Sequence, residues 1–303
     1  MKERKLRGIV VAALTAFDSQ EKFDPPAMEE YIDFLVEKGV DGLYICGSTG
    51  EGLIMNVEER KRVLETVLKR TQGKNVAVFA HCGSVRMEET VQLVEHAKEV
   101  KADGAGMVTP FYYKYSDEEL FGYYDTIARK FSDFPIYLYN NPALAGNSIS
   151  TALVNRLHHA DPNIMGIKDS SGNFSMVLSF ISETPSEFSV LAGYDRAFLS
   201  ILLMGGDGCV TGPGAVFPEL FVKVYELYKK SNVKLAKEYQ EKLTKLSLAL
   251  GDGANMPLLK VALKLRGIDL GPMRKPFKTF EEEGMKTLKE KLDVVLEEVG
   301  LKY

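Results

Sequence analysis

Eight short apolar runs punctuate about the first two-thirds of the chain, at residues 9–14, 42–46, 76–80, 104–108, 136–139, 164–167, 189–192 and 208–210. They are nearly continuous in apolar character rather than alternating, as a strand buried on both faces must be. Between them lie stretches of helical period, such as Met28-x-x-Tyr31-Ile32-x-x-Leu35-Val36, with apolar residues at i, i+3, i+4, i+7 and i+8. Strands of this kind, crossed over by helices, build a parallel sheet covered on both faces. Eight such units, spaced ~20–35 residues apart, match the count of a closed (β/α)8 barrel, an α/β fold of ~250 residues. An open doubly wound sheet is the alternative. It usually has fewer units, and no G-x-G-x-x-G opens the first helix here.

Several helices carry their own start signals. Asp24 before Pro25 reads as an N-cap with proline in the first turn, and Ser116 with Glu119 reads as a capping box. Beyond Thr211 the pattern is purely helical, at residues 217–230, 233–250, 257–266 and 280–299. The first of these closes the barrel, so the 303 residues divide into a barrel at 1–231 and a C-terminal helical module at 232–303.

Lysine and arginine number 38 against 42 acidic residues, a net charge of −4 spread through mixed-sign helices. That balance offers no footprint for nucleic acid or an anionic membrane. The basic residues Lys2, Arg4, Lys5 and Arg7 precede an apolar run too short for a signal core or a membrane span, so a cytoplasmic protein is expected. Cys46, Cys82 and Cys209 are far apart, each within an apolar run, and read as buried reduced thiols. The four histidines (His81, His96, His158, His159) form no ligand-spaced pair, and only His81 ends an apolar run. A catalytic zinc needs about three ligands, so no metal or cofactor is expected.

In a parallel barrel the working residues sit at the C-terminal ends of the strands. The second run ends Gly47-Ser48-Thr49-Gly50-Glu51-Gly52, a turn with exposed N–H groups beside two hydroxyls that suits a carboxylate or phosphate. The sixth reads Gly166-Ile167-Lys168-Asp169-Ser170, and Lys168 is the lysine that closes an apolar strand. It is aimed into the barrel mouth unless it pairs structurally, for instance with Asp169. In the fifth, strand alternation puts Tyr137 and Tyr139 on one face, with Tyr139 nearer the mouth, where it serves either packing or proton transfer. Taken together, an amine, a phenol and an anion cradle at one mouth are the parts that imine chemistry needs.

Gly47-Ser48-Thr49-Gly50-Glu51, Tyr139-Asn140-Asn141-Pro142 and Gly166-Ile167-Lys168-Asp169 resemble, in order and over nearly the whole chain, the motifs of the N-acetylneuraminate lyase/dihydrodipicolinate synthase family. The resemblance implies a class I aldolase. Lys168 would form a Schiff base with pyruvate, Tyr139 would be the acid/base relaying protons through Ser48, and Gly47, Ser48 and Thr49 would hold the carboxylate. Tyr112 matches a tyrosine lent to a neighbouring subunit's site, implying a homo-oligomer, usually a tetramer built as a dimer of dimers. Leu144 stands where the synthases carry a carboxylate-binding arginine, which is similar instead to the sugar-acid aldolases. Gly193-Tyr194-Asp195 resembles the sialic acid lyases, although Arg196 replaces their glutamate and Gly212 their serine. Val210-Thr211-Gly212 is closer to 2-keto-3-deoxygluconate aldolases. The implied substrate is a 2-keto-3-deoxy sugar acid, cleaved to pyruvate and an aldehyde, whose far end would meet Ser170, Gly193, Asp195, Arg196 and Thr211. Condensation of pyruvate with aspartate semialdehyde is the competing reaction.

Overall fold

The computed structural model describes residues 5–278 and 282–303. Its strands are β1 (Gly8–Ala12), β2 (Gly42–Ile45), β3 (Ala77–His81), β4 (Gly104–Val108), β5 (Ile136–Asn140), β6 (Ile164–Asp169), β7 (Ser189–Ala192) and β8 (Gly208–Thr211). Each pairs in parallel with the next, and β8 returns to β1 through Val10↔Val210, so the sheet closes into a barrel. All eight apolar runs became strands, with ends within two residues of the sequence reading.

The helices are α1 (Pro25–Glu37), α2 (Val57–Thr71), α3 (Met87–Glu99), α4 (Asp117–Lys130), the single turn α5 (Pro142–Ala145), α6 (Thr151–Ala160), α7 (Phe174–Glu183), α8 (Phe198–Leu203), α9 (Pro218–Lys229), α10 (Val233–Ala249), α11 (Met256–Leu265) and α12 (Glu282–Val299). The Asp24 side chain caps α1 by accepting from Ala27 N at 3.2 Å. Ser116 and Glu119 make the reciprocal box that starts α4. The expected helix start at Phe280 lies outside the described residues.

The continuous apolar strands are explained by two separate cores. Outward residues such as Ile9, Val11, Leu43, Ile45, Val78, Leu138 and Ile167 pack under the helices. Inward residues Val10, Ala12, Tyr44, Phe79, Tyr137, Leu191 and Val210 fill the barrel itself. Leu6 plugs the bottom, donating its N–H to the Tyr137 hydroxyl at 3.1 Å. Buried residues of α10 (Leu243, Leu246), α11 (Leu259, Leu263) and α12 (Leu288, Leu292, Leu296) extend the outer core. Among the described residues no helix is long and apolar enough to cross a membrane.

Candidate active site

Lys168 occupies an inward position of β6, opposite Tyr139 of β5 and Leu191 of β7. It is 7% exposed. Its Nζ lies 4.0 Å from the centroid of the Tyr139 ring and 4.7 Å from that of Tyr44. Asp169, one residue on, points to the opposite face because strand side chains alternate. There it accepts from Asn140 Nδ2 at 2.6 Å and from the Ser171 hydroxyl at 2.7 Å. The alternative of a Lys168–Asp169 pair is therefore not realised: Lys168 faces two π clouds, and its neighbour is spent on strand-end geometry.

The Tyr139 phenol oxygen accepts from Asn141 Nδ2 at 3.0 Å. Burial raises its pKa, but the Lys168 charge and hydrogen bonds with Asn141, Ser48 and Ser170 outweigh burial and hold it below the ordinary 10.0. Lys168, Tyr139, Ser48 and Ser170 thus form one cluster. The Y-N-N-P segment has a divided role, since Asn140 braces Asp169 outside the barrel while Asn141 reaches the phenol inside.

Three residues that sequence reasoning did not assign complete the floor. The rings of Tyr44, His81 and Tyr139 stand 5.9–6.1 Å apart, centroid to centroid, in tilted and edge-on contact. Arg60 of α2 is buried and donates to the carbonyls of His81 and Gly83. Burial, followed by the Arg60 and Lys168 charges, holds His81 well below 6.5, so its ring is neutral near pH 7. A side chain at Gly106 would start 2.2 Å from the Tyr44 hydroxyl, so glycine there is what lets the tyrosine fold across the barrel. His81 was the one histidine ending an apolar run, and that was the only available signal.

The β2 turn closes through Glu51 N donating to Ser48 O at 3.1 Å and Gly52 N to Gly47 O at 3.0 Å. The Thr15 hydroxyl pins it by donating to Gly50 O at 2.6 Å. Ser48 and Thr49 are half-buried in it. Across the mouth, Thr211 donates its hydroxyl to Asp195 Oδ2 at 3.0 Å, while Asp195 Oδ1 is buried without a protein partner. Burial pushes the Asp195 carboxyl up to about 7, with Asp252 adding to the rise against the Thr211 bond and the Lys168 charge. A Cβ at Gly193 would sit 2.2 Å from Ser170 Oγ, so glycine at 193 leaves room for the Ser170 hydroxyl where it stands. Arg196 meets Asp252 at 3.3 Å, both partly exposed, and leans over the Tyr194 ring. Arg196 is thus paired with a carboxylate of the C-terminal region. Leu144 is 71% exposed on α5. Tyr112 is 84% exposed, has φ +79°, and stands on the chain's surface, edge-on to Tyr113.

Known proteins are similar to this chain over most of its length. A 4-hydroxy-tetrahydrodipicolinate synthase from Methanopyrus kandleri is 34% identical over 95% of this chain and 96% of its own. The probable 2-dehydro-3-deoxy-D-pentonate aldolase YjhH of Escherichia coli K12 is 35% identical over 80% and 81%. The crystal structure of YagE, an E. coli K12 prophage protein of the dihydrodipicolinic acid synthase family in complex with pyruvate, superposes with a TM-score of 0.91. It is 30% identical and covers 98% of this chain and 99% of that one. The sequence profile of the Dihydrodipicolinate synthetase family matches residues 5–295, and the chain belongs to that family.

Proposed function

We propose that the protein is a carbon–carbon lyase that cleaves a 2-keto-3-deoxy sugar acid reversibly to pyruvate and an aldehyde, through an imine on Lys168. The observation that carries this reading is the buried Lys168 Nζ 4.0 Å from the Tyr139 ring centroid. An ordinary lysine near pH 7 is almost wholly protonated, so a nucleophilic amine needs a proton acceptor beside it. The ionised form of Tyr139, favoured by a pKa held below its usual value, is that acceptor. The amine of Lys168 adds to the keto carbon, and Tyr139 returns its proton to the carbinolamine hydroxyl, which leaves as water to give a protonated imine and free Tyr139 as a base again. Tyr139 then takes the proton of the C4 hydroxyl, the C3–C4 bond breaks, and its electrons enter the imine to leave an enamine and the free aldehyde. Return of that proton to C3 and addition of water release pyruvate and restore Lys168. Ser48 relays the proton, and Gly47, Ser48 and Thr49 hold the carboxylate.

The departing aldehyde faces Ser170, Gly193, Asp195 and Thr211, groups suited to hydroxyls. Leu144 supplies no cation, and the Arg196 charge is met by Asp252, so a neutral polyol tail such as that of glyceraldehyde or N-acetylmannosamine fits this rim. Exposed Tyr112, in a left-handed backbone conformation that a tyrosine adopts only under constraint, supports its service to a neighbouring subunit in a homo-oligomer, a tetramer assembled as a dimer of dimers. The 34% identity with the M. kandleri synthase keeps condensation of pyruvate with aspartate semialdehyde as the second reading. Incubation with pyruvate and a panel of aldehydes, with products identified by mass, separates the two. Sugar-derived aldehydes should exceed aspartate semialdehyde in kcat/KM by at least ~10-fold, about 1.4 kcal/mol in transition-state binding. The reverse order would overturn the substrate assignment and leave the Lys168 chemistry in place.

A further inference from the structure

The turn at residues 47–52 is held from behind by the far end of the chain. Glu51 has φ +57° and a fully buried side chain. Its Oε1 lies 2.9 Å from Lys260 Nζ of α11, close enough for an ion pair though not aligned as a hydrogen bond. Its Oε2 accepts from Arg274 N at 2.9 Å. Lys260 is itself buried, donates to Pro272 O at 2.9 Å, and sits 4.6 Å above the Phe17 ring. Arg274 is anchored in turn, by both terminal nitrogens on Glu59 of α2 and by Nε on Glu21 O at 2.8 Å. A non-glycine residue in the left-handed region persists only where its surroundings over-determine it. Here both carboxylate oxygens of Glu51 are claimed by the C-terminal region.

A buried ion pair contributes little net stability, because desolvating both charges cancels most of their attraction. Stability alone therefore gives no account of this one. We propose that Glu51 and Lys260 are positioning residues for pyruvate, and that their ion pair fixes the turn in the shape that presents Ser48, Thr49 and the backbone N–H groups to the carboxylate. On this view the C-terminal helices set the affinity of a site to which they contribute no contact. The inference rests on the reading of residues 47–49 as the pyruvate cradle. It differs from that reading in what it predicts for residues on α11.

The test measures borohydride trapping on Lys168 against pyruvate concentration. Lys260→Met strands a buried carboxylate and threatens folding, so the doubly neutral Glu51→Gln/Lys260→Met is measured beside it. The half-saturating pyruvate concentration should rise at least ~10-fold, about 1.4 kcal/mol. Trapping at saturation and the aldehyde KM should stay within about twofold. Lys260→Arg, which keeps the cation, should recover most of the affinity. Leu292→Ala in α12 removes a buried contact remote from the turn, and should lower Tm without moving the half-saturation point. An unchanged half-saturation in the double variant, or an equal rise in Leu292→Ala, would overturn the positioning role. Absence of trapping in the wild type would instead strike the imine on Lys168, and the inference with it.

Discussion

Replacing Asp195 with asparagine should make the protein more stable at alkaline pH than at acid pH, relative to wild type. The Asp195 carboxyl is buried, with Oδ2 satisfied by Thr211 and Oδ1 unpaired, and its pKa moves from 3.8 to about 7, chiefly by burial. A carboxyl raised in the folded state binds its proton there more tightly than in the unfolded chain. Stability is then greatest below the unfolded pKa, falls as pH rises from about 4, and levels off above about 7. At 1.36 kcal/mol per pH unit the full cost of ionising Asp195 is about 4 kcal/mol, of which roughly 3 kcal/mol accrues between pH 5 and pH 8. Asparagine keeps the acceptor for Thr211 and has no proton to lose. The stability of Asp195→Asn relative to wild type should therefore climb by roughly 3 kcal/mol over that interval, read from urea midpoints at the two pH values. A difference independent of pH would refute the argument, and would mean that Asp195 is ionised and solvated in the folded protein. The same pKa bears on substrate, since near pH 7 a half-protonated Asp195 can donate to an aldehyde hydroxyl as well as accept from one.

Tyr139→Phe keeps the ring stack and loses the hydroxyl, so kcat should fall by ~10²–10⁴-fold with little change in Tm, and full activity would reduce Tyr139 to packing. If Tyr112 serves a neighbouring subunit, mixed oligomers of Tyr112→Phe and Lys168→Ala chains should regain activity that neither parent has, measured as specific activity across mixing ratios. Mixtures no better than the parents would confine Tyr112 to its own chain or to the surface.

What could be read from the sequence was what depends on local rules. The strands were visible because both faces are apolar, and Lys168 and Tyr139 because they close two such runs and alternation fixes which way they point. The same alternation disposes of the Lys168–Asp169 pair, which adjacency suggested and the strand geometry forbids. The floor of the site escaped notice because its members come from separate units. Tyr44 lies mid-strand and reads as core, and Arg60 lies on a helix whose other charges are exposed or half-exposed. Nothing local says that Arg60 turns inward to His81 and Gly83. Glu51–Lys260 and Arg196–Asp252 join the barrel to the C-terminal helices across long stretches of chain, and no periodicity reports such contacts. The sequence neighbours of Asp195 do not disclose that it is buried.

The central claim, an imine between Lys168 and pyruvate, is tested most directly by adding borohydride to the enzyme with pyruvate and mapping the modified peptide. The account predicts one reduced pyruvate adduct, on Lys168, that appears only when pyruvate is present and disappears in Lys168→Ala. No adduct, or one that persists in Lys168→Ala, would contradict it.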